Sequence, residues 1–254
     1  MGKVYLVGAG PGAPDLLTLR AARLLESADI VFHDALVHPD TLALAKRARK
    51  IDVGKRYGKV STEQRFINRH LVEAARAHAV VVRLKGGDPM LFGRAQEELD
   101  ALAAAGIDCE VVPGVTAALA AAAALGVSLT RRGIARTVAF LTPRVGKGES
   151  ATAWLPAALG ADTVVLYMAA GASREVAAAM IGAGKPASTP AALVESATLP
   201  GERRLYTTLE RLRDHESERA SGPVVMCVGE VFRDASAMDP AEATEIVCRA
   251  AQTW

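Results

Sequence analysis

Residues 4–12, VYLVGAGPG, place a glycine-rich turn directly after a short apolar run that is typical of a buried strand. Residues 80–89, VVVRLKGGDP, repeat this arrangement with a second glycine turn. Glycine after a parallel strand lets the backbone approach a small molecule closely, and two such turns at one sheet edge can line a single crevice. The pair therefore predicts an α/β protein that holds a nucleoside-like cofactor.

Composition narrows the class of protein. The chain has 254 residues, half of them hydrophobic, which is enough for two modest domains. Its 30 Lys and Arg against 28 Asp and Glu argue against a nucleic-acid-coating protein. Its three cysteines form no C-x-x-C pair, which predicts neither a disulfide framework nor a zinc knuckle and favours a reducing, cytoplasmic location. The five histidines show no helical metal-binding pair, so we expect no metal.

Apolar runs that alternate with helical periodicity predict α/β organisation along the whole chain. We expect two domains, 1–114 and 115–254, with at least one antiparallel strand pair in the second and a possible tail from residue 234. The alanine-rich segment 115–127 predicts a buried helix that is too short to span a membrane. The strands are predicted at 4–7, 30–32, 50–53, 80–84, 110–112, 137–141, 163–168, 191–195, 203–207 and 224–228. Helices are predicted to begin at Pro14, after the capping box 61–64, and at Leu91, and to lie around Val176 and Leu209.

The first glycine turn permits two interpretations. Gly8, Gly10 and Ala13 satisfy a relaxed dinucleotide fingerprint, and Asp34 follows at the distance of a ribose-binding carboxylate, which favours an NAD-dependent oxidoreductase. Pro11 removes an amide donor from the turn that would bind a pyrophosphate, and Pro14 removes another. In the second interpretation, the glycines bind no dinucleotide and only allow the chain to form a tight turn.

The second turn is the sharper signal. Gly86 and Gly87 predict two exposed amides in succession, and Asp88 offers an acceptor for a hydroxyl or ammonium group. A neutral or cationic ligand fits this combination best. Asp88 would alternatively serve as a helix N-cap.

The ordered motifs VGAGPG, VGKR, RLKGGDP, FGRxxEE, VVPGVTA and LYM, over about residues 3 to 230, make the chain similar to the tetrapyrrole methylases. The resemblance implies two α/β domains with an inter-domain cofactor cleft, S-adenosylmethionine as methyl donor, S-adenosylhomocysteine as product, and a homodimer. It implies C-methylation of uroporphyrinogen III at two pyrrole rings to give precorrin-2, for siroheme or cobalamin synthesis. The alternatives are a methylase of a later precorrin or of another substrate on the same fold, a non-catalytic binding module, or the oxidoreductase above.

The resemblance also implies roles for individual residues. Asp34 would accept a proton and Lys55 would donate one, although a loop cap and a carboxylate anchor are equally open roles for these two. Glu97 would hold a pyrrole N–H or orient Arg94. The substrate contacts would be Arg56, Arg94, Glu97 and Arg132. The cofactor contacts would be Pro11, Gly86, Gly87, Asp88, Leu91, Thr116, Ala117, Met168 and Ala197.

Departures from the family pattern fall on the substrate side: Val60, Ala95-Gln96, Arg131 and Pro143-Arg144 stand where the family has other residues. Two segments, 46–59 and 129–148, are rich in Lys and Arg and would supply cationic partners for substrate carboxylates. The departures leave open a shifted substrate preference.

Overall fold

A computed structural model of the chain describes residues 2–54, 64–144, 153–169, 171–214 and 222–236. The chain divides into two compact units, Met1–Ala117 and Ala118–Trp254. The first three residues of the predicted capping box and most of the predicted tail lie outside the described residues. No helix in the described ranges is long and apolar enough to cross a membrane.

The first unit is built on a five-stranded sheet in the order β3-β2-β4-β1-β5, and every neighbouring pair is parallel. Along β1, Val4 and Leu6 enter one hydrophobic cluster and Val7 enters another, because successive side chains point to opposite faces. The strands are β1 Lys3–Gly8, β2 Ile30–His33, β3 Arg49–Asp52, β4 Val80–Lys85 and β5 Cys109–Val112. The helices are α1 Leu19–Ser27, α2 Pro39–Ala43, α3 Gln64–Ala77, α4 Ala95–Ala104 and α5 Ala117–Leu125, which continues into the second unit.

The second unit contains a mixed five-stranded sheet in the order β6-β7-β10-β8-β9. Strands β6 and β7 are parallel, whereas β10 is antiparallel to both β7 and β8, and β8 is antiparallel to β9. The strands are β6 Val138–Leu141, β7 Thr163–Tyr167, β8 Pro190–Glu195, β9 Arg203–Thr208 and β10 Val224–Gly229. The helices are α6 Leu155–Gly160, α7 Ser173–Gly182, α8 Leu209–Asp214 and α9 Arg233–Ser236. The predicted α/β class and the expected antiparallel pairing are both confirmed.

Two predicted helix starts are wrong. Pro14 opens a short 3-10 turn, Pro14–Leu16, and α1 begins only at Leu19, where the Thr18 hydroxyl accepts a hydrogen bond from the Ala21 amide at 3.1 Å. Helix α4 begins at Ala95 rather than Leu91. Phe92 and Arg94 have φ angles of 52° and 55°, and left-handed residues cannot belong to a right-handed helix.

Three glycines pack backbone against backbone at the carboxyl edge of the first sheet. A Cβ atom on Gly8 would lie 2.6 Å from the Gly114 Cα, and one on Gly114 would lie 2.4 Å from the Gly87 carbonyl oxygen. Real Cβ atoms do not approach backbone so closely. The loops after β1, β4 and β5 therefore fit together only because glycine occupies these positions.

Gly114→Ala should lower the free energy of unfolding by about 1–3 kcal/mol, because the added methyl group overpacks a contact between backbone atoms. Urea denaturation measures this loss. Gly182→Ala is the matched control, since a Cβ there meets nothing within 4 Å. If Gly114→Ala is as stable as the control, these loops are not packed as the structure shows.

Candidate active site

The two glycine turns predicted to share one crevice are joined directly by backbone hydrogen bonds. The Gly10 amide donates to the Gly87 carbonyl at 3.2 Å, and the Gly87 amide donates back to the Gly10 carbonyl at 2.7 Å. Because all five strands of this sheet are parallel, the loops that follow them meet at one edge. The first unit therefore gathers both motifs at the place where α/β proteins bind ligands.

The prediction of two exposed amides in the second turn is wrong. The Gly87 amide is taken by Gly10, and the Gly86 amide donates to Asp34 Oδ2 at 3.2 Å. A ligand at this loop would have to be bound by acceptors, such as carbonyl and carboxylate oxygens, rather than by these two donors. This arrangement favours the predicted neutral or cationic ligand, because the two amide donors that an anion would need are already used.

Asp88 connects its own turn to the loop that follows β5. Its Oδ1 accepts the Met90 amide at 2.8 Å, and its Oδ2 accepts the Gly114 amide at 2.9 Å. It does not cap α4, which starts at Ala95. A carboxylate has about four acceptor sites, so each oxygen retains capacity for a ligand hydroxyl or ammonium group.

Asp34 follows β2 and is half-buried. Its Oδ1 accepts the Leu36 amide at 3.1 Å, while its Oδ2 accepts the Gly86 amide. The geometry thus places Asp34 as an anchor of the second glycine turn and orients its carboxylate beside that turn. Its predicted partner Lys55, together with Arg56 and Val60, lies outside the described residues.

The remaining cofactor positions of the first unit lie around the same turn. A Cβ atom placed on Gly87 would be 3.9 Å from the Thr116 Cα and 4.0 Å from the Ala117 nitrogen. Leu91 donates its amide to the Asp88 carbonyl at 3.4 Å, and Pro11 is adjacent to Gly10 in the chain. The structure therefore brings these predicted residues of the first unit together.

Arg94 and Glu97 form an exposed bidentate pair. Arg94 Nε and Nη2 donate to the two Glu97 carboxylate oxygens at 2.7 Å each. This pairing raises the pKa of Arg94 and lowers the pKa of Glu97. The pair uses two of the five guanidinium N–H donors, so Glu97 orients Arg94 and leaves donors for another carboxylate.

In the second unit, Met168 and Ala197 follow β7 and β8, which run in the same direction on either side of β10. Met168, Ser196 and Thr198 have φ angles of 58°, 51° and 70°. Left-handed backbone costs a non-glycine residue roughly 1–2 kcal/mol, and such strain tends to collect at functional sites. Met168 is exposed rather than part of the core.

Two carboxylates that the motif analysis missed hold the strained loop after β8. Glu195 accepts the Gly222 amide at 2.7 Å and pairs with Arg203. Glu202 accepts the Thr198 amide at 2.7 Å and pairs with Arg204. These bonds fix the backbone on both sides of Ala197.

Arg132 lies exposed in the turn between Arg131 and Ala135, whose backbones form an isolated bridge. Arg131 pairs with Asp234 at 2.8 Å. Pro143 and Arg144 follow β6 at the same sheet edge as Met168, because β6 and β7 are parallel.

A buried ion cluster was also missed. Glu98 is fully buried between Arg83 and Lys85, which are both about 4% exposed. The signal was available, since two cations at alternate positions of an apolar strand share one face and require a carboxylate partner.

The described residues disfavour three other kinds of site: a pyrophosphate site, a thiolate nucleophile and a metal centre. The first glycine turn leads into a 3-10 turn rather than an α-helix, so it lacks the helix N-terminus on which a pyrophosphate would rest. Burial raises the pKa of Cys227 to about 12 and that of Cys109 to about 11, which disfavours a thiolate nucleophile at these positions. Within the described ranges, no group of three His, Cys, Asp or Glu side chains could hold a metal ion.

Comparison with known proteins agrees with this geometry. The uroporphyrinogen-III C-methyltransferase of Pseudomonas aeruginosa is 47% identical over 92% of this chain and 95% of its own length. A siroheme synthase of Azotobacter vinelandii is 45% identical over 92% of this chain, which spans only about half (51%) of that protein. The crystal structure of uroporphyrin-III C-methyl transferase from Thermus thermophilus, complexed with S-adenyl homocysteine, superposes with a TM-score of 0.81 at 42% identity, covering 92% of this chain and 100% of that one. The family model for Tetrapyrrole (Corrin/Porphyrin) Methylases matches residues 3–213, and the chain belongs to this family.

Proposed function

We propose that the chain is an S-adenosylmethionine-dependent methyltransferase that adds methyl groups to two pyrrole rings of uroporphyrinogen III and so forms precorrin-2, for siroheme or cobalamin synthesis. The observation that carries the proposal is the 47% identity to a uroporphyrinogen-III C-methyltransferase over nearly the full length of both chains. The loop geometry supports it, because the Gly86 and Gly87 amides are used internally and the first glycine turn lacks a phosphate-binding helix end.

The residues present fit this cofactor. In the first unit, the contacts would be Pro11, Gly86, Gly87, Asp88, Leu91, Thr116 and Ala117. In the second unit, Met168 and Ala197 would contribute. S-adenosylmethionine carries a sulfonium, an ammonium and ribose hydroxyls but no phosphate, so acceptor oxygens around Asp88 suit it. A side chain at Gly87 would extend toward Thr116 and Ala117, and glycine keeps this space open.

When bound, the cofactor supplies an electrophilic methyl group, and the substrate pyrrole is already an electron-rich carbon nucleophile. The chain therefore has mainly to position the substrate, and orientation alone contributes a large part of such a rate. A ring that has gained a methyl group is cationic until it loses a proton. Asp34 would accept that proton, since its carboxylate is oriented by two amides and retains acceptor capacity. Lys55 would act as the proton donor.

On the substrate side, Arg56, Arg94 and Arg132 would bind substrate carboxylates, and Glu97 would orient Arg94. We also propose that residues 1–114 carry the substrate loops and most cofactor contacts, and that residues 115–254 supply the rest. A cytoplasmic homodimer completes the proposal. Sedimentation of the purified chain, with a monomer as the contradicting result, tests the dimer.

Incubation of the purified chain with S-adenosylmethionine and uroporphyrinogen III, kept reduced, should yield S-adenosylhomocysteine and a doubly methylated product by mass spectrometry. Calorimetry should show binding of S-adenosylhomocysteine and none of NAD, which excludes the oxidoreductase. Cofactor binding without turnover would redirect the search to later precorrins. If neither S-adenosylhomocysteine nor a methylated product forms with any of these substrates, the proposed reaction is wrong.

Arg94→Ala should raise the KM for uroporphyrinogen III about 10- to 100-fold, because a charge-assisted hydrogen bond contributes roughly 1.5–3 kcal/mol. The Kd for S-adenosylhomocysteine should stay near that of the wild type. Arg233→Ala is a matched control, because it removes a second exposed bidentate Arg–Glu pair of the same three-residue spacing, with Glu230. Steady-state kinetics and calorimetry measure both quantities. An equal loss of cofactor affinity in Arg94→Ala would refute its assignment to the substrate.

Asp34→Asn separates proton transfer from loop anchoring. An amide offers one carbonyl oxygen where the carboxylate uses two, so cofactor affinity should fall roughly 2- to 12-fold, the equivalent of one hydrogen bond. If Asp34 also accepts the proton, the single-turnover rate at saturating ligands should fall about 10²- to 10⁴-fold. A weakened affinity with an unchanged rate would show that Asp34 is an anchor only.

A further inference from the structure

The strongest feature that the proposed mechanism does not use is the buried cluster of Arg83, Lys85 and Glu98. Lys85 Nζ donates to both Glu98 carboxylate oxygens at 3.1 Å, and Arg83 Nε donates to Oε1 at 3.1 Å. Glu98 has no solvent exposure. Burial of three ionised groups is costly unless each is paired and hydrogen-bonded. Apolar side chains would fill the same volume at lower cost, which points to a functional role for the cluster.

The position of the cluster in the fold indicates that role. Lys85 is the last residue of β4 and directly precedes the turn of Gly86 and Gly87. Glu98 lies in the first turn of α4, next to Glu97, which holds Arg94. The buried Glu98 carboxylate therefore connects the end of β4, just before the candidate cofactor loop, to the start of α4, beside the candidate substrate-binding pair Arg94–Glu97.

Neighbouring contacts strengthen this connection. Gln64 Nε2 donates to Glu98 Oε1 at 3.1 Å, and Asn68 Nδ2 donates to the Glu97 carbonyl at 2.9 Å. A Cβ atom on Gly93 would lie 3.1 Å from Lys85 Cε, so the segment between the cofactor turn and α4 passes directly over the lysine stem. Helix α3, strand β4 and helix α4 thus all converge on Glu98.

We propose that Glu98 is a positioning residue that holds the Gly86–Asp88 turn and the Arg94–Glu97 pair in fixed register, so that cofactor and substrate are bound by one rigid part of the first unit. This inference rests on the proposed function for the identity of the two ligands. Glu98 touches neither ligand and acts through Lys85 on one side and through its own helix turn on the other.

The electrostatics agree with such a role. Burial, and then the nearby Arg83, lower the pKa of Lys85, and Glu98 opposes both effects. Without the Glu98 carboxylate, two buried cations would repel each other, and Asp34, which also raises the pKa of Lys85 but is the smallest of the effects on it, would be the remaining countercharge. The end of β4 would then have to move, or Lys85 would have to lose its proton. A movement of β4 would displace the cofactor turn that follows it.

Glu98→Gln should weaken S-adenosylhomocysteine binding and raise the KM for uroporphyrinogen III, each by about tenfold or more. The matched control is Leu102→Ala, which removes a fully buried side chain from the same helix and leaves the three charged groups of the cluster in place. Thermal unfolding ranks the two variants in stability, and assays run well below both midpoints. If the control loses as much affinity for both ligands as Glu98→Gln, Glu98 serves only stability.

Two further variants test the proposal without relying on the comparison of Glu98→Gln with Leu102→Ala. If Glu98 acts on the substrate through Arg94, the double variant Arg94→Ala with Glu98→Gln should have the KM of Arg94→Ala alone, and additive effects would overturn the proposal. Lys85→Met removes the ion pair between Glu98 and the end of β4 and leaves the helix turn that carries Glu97 unchanged. It should therefore weaken S-adenosylhomocysteine binding and leave the KM for uroporphyrinogen III within about twofold of the wild type. This variant also replaces Glu98→Gln should the latter fail to fold, and an unchanged affinity in it would contradict the proposal.

Hydrogen exchange separates this inference from the proposed function. In Glu98→Gln without ligand, the Gly86 and Gly87 amides and the first hydrogen-bonded amides of α4 should exchange faster than in Leu102→Ala, with distant strands unchanged. If the wild type binds no S-adenosylhomocysteine, the proposed cofactor is wrong, but selective loss of protection would still establish the positioning role. Uniform loss in both variants would refute it.

Discussion

The close approach of three glycine backbones is the constraint on which the rest of the first unit depends. Gly8, Gly87 and Gly114 leave no room for a Cβ atom on either Gly8 or Gly114. Because they lie at or just beyond the ends of three adjacent strands, their contact fixes the loops relative to one another before any ligand binds. The Gly10–Gly87 hydrogen bonds and the Asp88–Gly114 bond are possible only at this separation.

This packing changes what the glycine motifs mean chemically. A glycine turn is usually interpreted as a set of free amides for an anion, yet here the amides at positions 86 and 87 are used internally. The turns remain tight without offering those donors to a phosphate. A sulfonium donor without phosphate suits such a site, whereas a dinucleotide does not. The loop geometry and the family membership support this conclusion independently.

The sequence predicted the positions of the strands along the chain well, because buried parallel strands such as β1 and β4 form continuous apolar runs bounded by glycine. It predicted poorly where non-glycine residues adopt left-handed backbone, as at Phe92 and Arg94, since tertiary contacts rather than local preference hold them there. The meeting of the two glycine turns at one sheet edge was predicted correctly. Glu98 and Glu195 were missed because they pair with residues at least eight positions away in sequence, whereas Glu202 pairs with nearby residues that belong to none of the motifs.

Acidic residues in both units serve mainly to shape loops. Asp34, Asp88 and Glu98 hold the turns of the first unit, and Glu195 and Glu202 hold the strained loop of the second. Charge-assisted hydrogen bonds are strong enough to offset the cost of left-handed residues nearby. A reaction between an electron-rich ring and a sulfonium depends strongly on geometric control, in addition to the proton transfer proposed for Asp34. It follows that residues that only hold shape, Glu98 above all, should matter to ligand binding as much as residues that touch the ligands.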